Sequence, residues 1–124
     1  MENNNVEFIF EKLEVYKRSL NFSIKICKIC SDFPIKYSRI SNQFIGASVS
    51  IPLNIAEGNG RDTNKDKVNF YRIAKGSGFE CVPLIAICFS LNLISKQKEE
   101  EFRNDVKEIT QMISGLIKYQ KNKI

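Results

Sequence analysis

Phe102, Val106, Ile109, Ile113 and Leu116 recur at alternating spacings of four and three. That interval places five apolar side chains along one side of a helix about four turns long. A helix with such a seam buries it against other helices, as in a bundle. The same periodicity runs through the rest of the chain and predicts an all-α protein.

Four helices are predicted, over about 10–32, 38–57, 64–93 and 98–119. In the first, Leu13, Tyr16, Leu20, Ile24 and Cys27 form one apolar stripe, and Phe22, Ile26 and Ile29 form a second. Phe33-Pro34 ends it, because proline disfavours helical geometry in the residue before it. In the second helix, Ile40, Phe44, Ala47, Ile51 and Ile55 line the buried face. Gly46, Ala47, Ser48 and Ser50 leave room there for a close neighbour. Pro52 removes an amide donor and crowds the carbonyl of Ser48, so a kink is expected. Gly58 or Gly60 is expected to supply a left-handed C-cap.

The third helix opens with Thr63-Asn64-Lys65-Asp66, a capping-box-like run. It carries one stripe of Tyr71, Ala74, Gly78, Cys81, Ile85 and Cys88 and another of Phe70, Ile73, Leu84, Ile87, Leu91 and Ile94. Two stripes predict a helix that is central, or that contacts both its own bundle and another subunit. Pro83 is expected to bend it. The fourth helix has Glu99, Glu100 and Glu101 at its positive end. Lys118, Lys121 and Lys123 lie at or past its negative end, and both placements favour the dipole. Short connections favour an antiparallel up-down-up-down four-helix bundle, with residues 1–124 as one domain.

Composition narrows the chemistry. A chain of 124 residues can bury a core without disulfides or metals. It has no histidine, which removes the commonest general base and a frequent metal ligand. Glu57 and Glu80 cannot belong to Glu-x-x-His di-iron motifs, and Gly58-Asn59-Gly60-Arg61 lacks the phosphate-loop frame. Cys81 and Cys88 sit roughly 10 Å apart along a helix axis. A single zinc needs each sulfur at about 2.3 Å, so a site holding both with Cys27 and Cys30 is disfavoured. Nor does Cys27-x-x-Cys30 sit in a strand-then-helix setting suited to a thioredoxin-like motif. The four cysteines read as small buried side chains in a reducing compartment. No metal, cofactor or catalytic residue is expected, and the chain reads as non-enzymatic. No apolar run approaches the roughly 18–20 residues of a membrane span. Met1-Glu2-Asn3-Asn4-Asn5 is polar and acidic, unlike a secretory leader. A cytoplasmic protein without a membrane partner is expected.

Two sets of polar residues stand out. Asn54, Glu57, Gly58 and Arg61 cluster at the end of the second helix, while Ser77 and Glu80 interrupt an apolar stripe of the third. Polar groups on a packing face need partners, so these residues are expected to brace the two helices, with a ligand site as the alternative. The second set is basic. The net charge is +5, with 14 lysines against five arginines, a bias that AT-rich coding also produces. Arg18, Asn21, Lys25 and Lys28 share the solvent side of the first helix. Lys65, Asn69 and Arg72 mark a second stripe, with Lys75 nearby. Repeated around an oligomer, such stripes would make a belt that holds RNA or DNA phosphates without reading sequence. A protein-interaction scaffold without nucleic-acid binding is the alternative.

The motifs resemble a known family. Phe10, Leu13, Val15 and Tyr16 are followed by Phe33-Pro34, then Ala47, Ser50-Ile51, Asn54-Ile55-Ala56-Glu57-Gly58 and Arg61. Ile73-Ala74, Gly76-Ser77 and Glu80 complete the series. In order and spacing this chain is similar to the bacterial four-helix bundle proteins related to the 23S rRNA intervening-sequence protein. The resemblance implies a bundle that assembles as a homopentamer. It also implies kinship with accessory proteins of retroelement reverse transcriptases, and so a nucleic acid, a reverse transcriptase or a ribosomal component as partner. Two positions depart from the family pattern. Gly46 stands where arginine is common, and Cys81 follows Glu80 where leucine is common.

Overall fold

Residues 6–124 are described in the computed structural model of the chain, and the leader-like question posed by Met1–Asn5 lies outside them. Four helices carry the fold: α1 (Glu14–Cys30), α2 (Ser38–Asn59), α3 (Asn64–Ser90) and α4 (Lys96–Lys121). α1 begins later than its periodicity predicts. Ile9–Lys12 forms a separate 3₁₀ turn, and Leu13 is extended at φ −69° and ψ 129°. A second 3₁₀ turn, Ile35–Tyr37, leads into α2. α3 and α4 are capped by hydroxyls: Asp66 donates its amide to Thr63 Oγ1, and Lys98 donates to Ser95 Oγ, both at 3.1 Å. Each cap satisfies an amide that lacks a helical acceptor.

Each helix packs on two neighbours, in the pairs α1–α2, α2–α3, α3–α4 and α1–α4, and the diagonal pairs make no backbone approach. This is the antiparallel four-helix bundle. Phe22 and Ile26, Phe44, Ile51 and Ile55, Tyr71 and Ile85, and Phe102, Ile109 and Ile113 fill its centre. The four-three repeat of α4 is therefore the seam it was expected to be, with Leu116 at its partly buried end.

α1 turns a different face inward from its longer stripe. Phe22 and Ile26 are buried beside Ser19 and Ser23, whereas Leu20 and Ile24 remain 39% and 43% exposed. The serines are small, so α1 and α2 come close. Ser23 Oγ donates to the Ser48 carbonyl at 2.7 Å. Pro52, four residues after Ser48, has no amide to occupy that carbonyl. The helix runs unbroken through the proline.

The glycines also act differently from expectation. Gly60 is right-handed at φ −82°, and no described glycine has positive φ. Gly58 lies inside α2, where an added Cβ would sit 2.8 Å from Tyr71 Cε1 and 2.9 Å from Phe70 Cβ. Its missing side chain admits α3. Gly78 admits α4 in the same way, since a Cβ there would lie 2.7 Å from Thr110 Cγ2. Gly46 and Gly76 face open space, so neither marks a close contact within the protomer. The left-handed residue after a helix is Asn92, with φ 60°, just beyond α3. Asparagine tolerates this region because its short polar side chain bonds locally.

α3 departs from one further expectation. Its most apolar 18-residue window has a mean hydropathy of 1.4, enough by length and composition to cross a membrane. Only 33% of that window is buried in the bundle. Ile73, Phe79, Ile87 and Leu91 are all more than one-third exposed.

Candidate functional site

The polar cluster expected between the second and third helices is partly assembled. Asn54 Nδ2 donates to the Ser50 carbonyl at 2.8 Å and to Ser50 Oγ at 2.9 Å. Ser50 Oγ lies 2.8 Å from Ser77 Oγ, which carries the chain of bonds from α2 to α3. Glu57 pairs with Arg61 at 2.7 Å, one turn apart. The Arg61 guanidinium also stacks over Phe70 of α3, 4.5 Å from the ring centroid. Arg61 therefore reaches α3 through an aromatic face and not through Ser77 or Glu80. Glu80 is exposed and has no ion-pair partner among the described residues. Ser50 and Phe70 were the connections missing from the sequence reading. Gly58 signalled the second contact, because a buried helical glycine marks where a neighbour's side chains arrive, here those of Phe70 and Tyr71.

The α1 cations have partners of their own. Arg18 pairs with Glu14 and, across the α1–α4 seam, with Glu108. Lys25 reaches Glu101 at 2.8 Å and Asp105 at 2.9 Å on α4. Burial alone lowers the pKa of Lys25, but hydrogen bonds to the two acids outweigh it and raise the pKa. Glu101 is held below its ordinary value, first by the Lys25 hydrogen bond. Two members of the expected basic stripe are thus neutralised within the protomer. Lys28 is exposed and makes no such pair among the described residues. Lys65 and Arg72 on α3 are likewise exposed and unpaired there, and Lys75 lies 5.8 Å from the Phe79 ring centroid.

An apolar groove runs between α1 and α2. Its volume is about 430 Å³, and Tyr16, Leu20, Ile24, Leu53 and Ala56 line it, with Lys28 at the edge. The outward stripe of α1 forms one wall. Cys27 opens onto the same groove. The other three cysteines are buried. Burial pushes the thiols of Cys30 and Cys81 up to about 12 and that of Cys88 to about 11. Thiols held protonated in this way are poor nucleophiles at neutral pH. Among the described residues, no group of three or more His, Cys, Asp or Glu side chains converges as metal ligands would.

Comparison with known proteins agrees with this architecture. No curated protein matches the chain. A crystal structure of a protein of unknown function from the S23 ribosomal protein family of Bacteroides thetaiotaomicron superposes with a TM-score of 0.78. The similarity covers 84% of this chain and 95% of that one at 24% identity, so it supports the fold. The profile of the family described as 23S rRNA-intervening sequence protein matches residues 11–115. That span takes in the end of the 3₁₀ entry, all of α1 to α3 and most of α4, and the chain belongs to the 23S rRNA-intervening sequence protein family.

Proposed function

We propose that this chain is a non-enzymatic, homo-oligomeric accessory protein of the cytoplasm that holds RNA or DNA on a basic outer surface. The observation that carries this reading is the distribution of unpaired cations. Arg18 and Lys25 are engaged by α4 acids, whereas Lys65 and Arg72 project from the start of α3 without acid partners among the described residues. Lys75 lies near that stripe. Such a surface holds phosphates by counterion release and needs no base-specific groups. The family's association with rRNA genes supports RNA as the nucleic acid. Its resemblance to retroelement accessory proteins supports a polymerase or ribosomal component as a further partner. The polar contacts among Asn54, Ser50 and Ser77, with Arg61 on Phe70, brace α2 against α3 and hold the α3 cations in place.

The test is fluorescence anisotropy with labelled RNA and DNA over a salt series, alongside native mass. Affinity should fall steeply with salt, and Lys65→Glu/Arg72→Glu/Lys75→Glu should abolish it. A variant carrying Arg18→Gln should lose much less. Absence of binding at low salt would remove the nucleic-acid reading. The apolar groove favours the second reading, a protein-interaction scaffold, which that result would leave standing.

A further inference from the structure

Two apolar features of the protomer have complementary shapes. The α1–α2 groove is concave. The exposed line of α3 is convex, with Ile73, Glu80 and Ile87 at intervals of seven and Leu91 one turn further on. Glycine at position 76 has open space around its Cα, so a neighbouring backbone can approach this line closely. The lengths agree: from Tyr16 to Lys28 the groove wall spans about 18 Å, and from Ile73 to Ile87 the ridge spans about 21 Å. The charges agree as well. Lys28 at the groove edge and Glu80 on the ridge are each without an ion-pair partner among the described residues.

We propose that the α3 ridge of one copy seats in the α1–α2 groove of the next. This deepens the homo-oligomeric part of the proposed function and rests on it. Groove against groove would leave a void, and ridge against ridge would oppose two Glu80 carboxylates. A head-to-tail contact satisfies both surfaces and is heterologous. The groove and ridge lie on adjacent sides of the bundle, because α3 is beside α2. Successive copies are therefore rotated relative to one another, and such a contact makes a ring where that rotation closes. A small ligand fits the groove less well, since such sites need convergent polar groups. Here the Ser23 hydroxyl is already bonded to main chain, and beyond the Tyr16 and Cys27 side chains the one charged group is Lys28, at the edge.

Two double variants test the contact by native mass and circular dichroism. Leu20→Asp/Ile24→Asp disables the groove, and Ile73→Asp/Ile87→Asp disables the ridge. Each should be a helical monomer, and an equimolar mixture should form a one-to-one dimer from the intact ridge and groove. Either variant keeping the wild-type mass, or a folded mixture remaining monomeric, overturns the proposal. If the aspartates unfold the bundle, the charge pair decides. Lys28→Glu and Glu80→Lys should each raise the concentration for half-assembly on the order of tenfold, and together restore it. No change in the single variants, or no restoration in the double, overturns the contact. A monomeric wild-type protein at micromolar concentration would instead remove the oligomeric reading on which it rests.

Discussion

Ser23 supplies the proton that Pro52 withholds. Within α2 the Ser48 carbonyl faces a proline four residues on, and the Ser23 hydroxyl of α1 reaches it at 2.7 Å. Ser23 Oγ also lies 2.9 Å from the Ser19 carbonyl on its own helix. The proline thus creates a buried acceptor that selects one register of α1 against α2.

Removing the hydroxyl should be costly only while the proline is present. Ser23→Ala is expected to destabilise the fold by about 1–3 kcal/mol through an unsatisfied carbonyl. In Ser23→Ala/Pro52→Ala the new amide can bond Ser48, so the combined loss should be smaller than the sum. Urea unfolding of the four proteins measures the coupling. Additive losses would contradict the relation.

At the α3–α4 contact, Gly78→Ala should destabilise by about 1–3 kcal/mol, the range for overpacking. A Cβ there meets a Thr110 methyl at 2.7 Å, and Thr110 Oγ1 is tied to the Val106 carbonyl at 2.8 Å. Thr110→Ser keeps the hydroxyl and deletes the methyl. It should recover much of the loss in the Gly78→Ala background, as a melting series would show.

Lys25 predicts stability edges at both ends of the pH scale. Its pKa lies above the ordinary 10.5, so its contribution is full below that value and fades as pH climbs through the raised one. Glu101 lies below the ordinary 4.5, so its contribution holds above 4.5 and disappears as pH falls through the lowered one. Lys25→Met should flatten both edges. At neutral pH it should cost about 0.5–1 kcal/mol, less in high salt, because these side chains remain partly in water. An unchanged pH profile would count against the bridge.

Cys27 should be the thiol labelled first in the folded protomer, tested on the Ile73→Asp/Ile87→Asp variant so that no ridge covers the groove. Cys30, Cys81 and Cys88 are buried and held protonated, with their pKa values raised to about 12, 12 and 11. Maleimide followed by peptide mass mapping should modify Cys27 quickly and the others only on unfolding. Equal rates at all four would refute the assigned burial.

Arg61→Ala should destabilise the α2–α3 junction by about 0.5–1 kcal/mol through loss of its contact with Phe70. Glu57→Gln should matter less, since both members of that pair are about half exposed and screened by water. The comparison needs only thermal melts. Equal effects would mean that the ion pair, and not the aromatic face, holds Arg61.

The four helices and the α4 seam were legible because periodicity reports which side of a helix is apolar. What periodicity does not report is which of two apolar sides faces inward. In α1 the choice was made by Ser19 and Ser23, whose value is their small size and their hydroxyls. Gly58 looked like a terminator because glycine commonly ends helices, yet α3 requires its missing Cβ. The basic stripe was legible as charge but not as free charge. Asp105 is 80 positions from Lys25, and only the folded bundle brings them to 2.9 Å. Asn54 and Ser77 were placed on facing helices correctly, while Ser50 between them carried no separate signal.

Tyr71 gives the chain a built-in reporter. The sequence has four tyrosines and no tryptophan. Tyr71 is fully enclosed against Gly58 where α2 meets α3, and burial raises its phenol above the ordinary value. Near-ultraviolet circular dichroism of the native state should therefore be dominated by this one ring. Optical spectra alone can then follow the docking of α2 on α3, without a dye or an introduced probe.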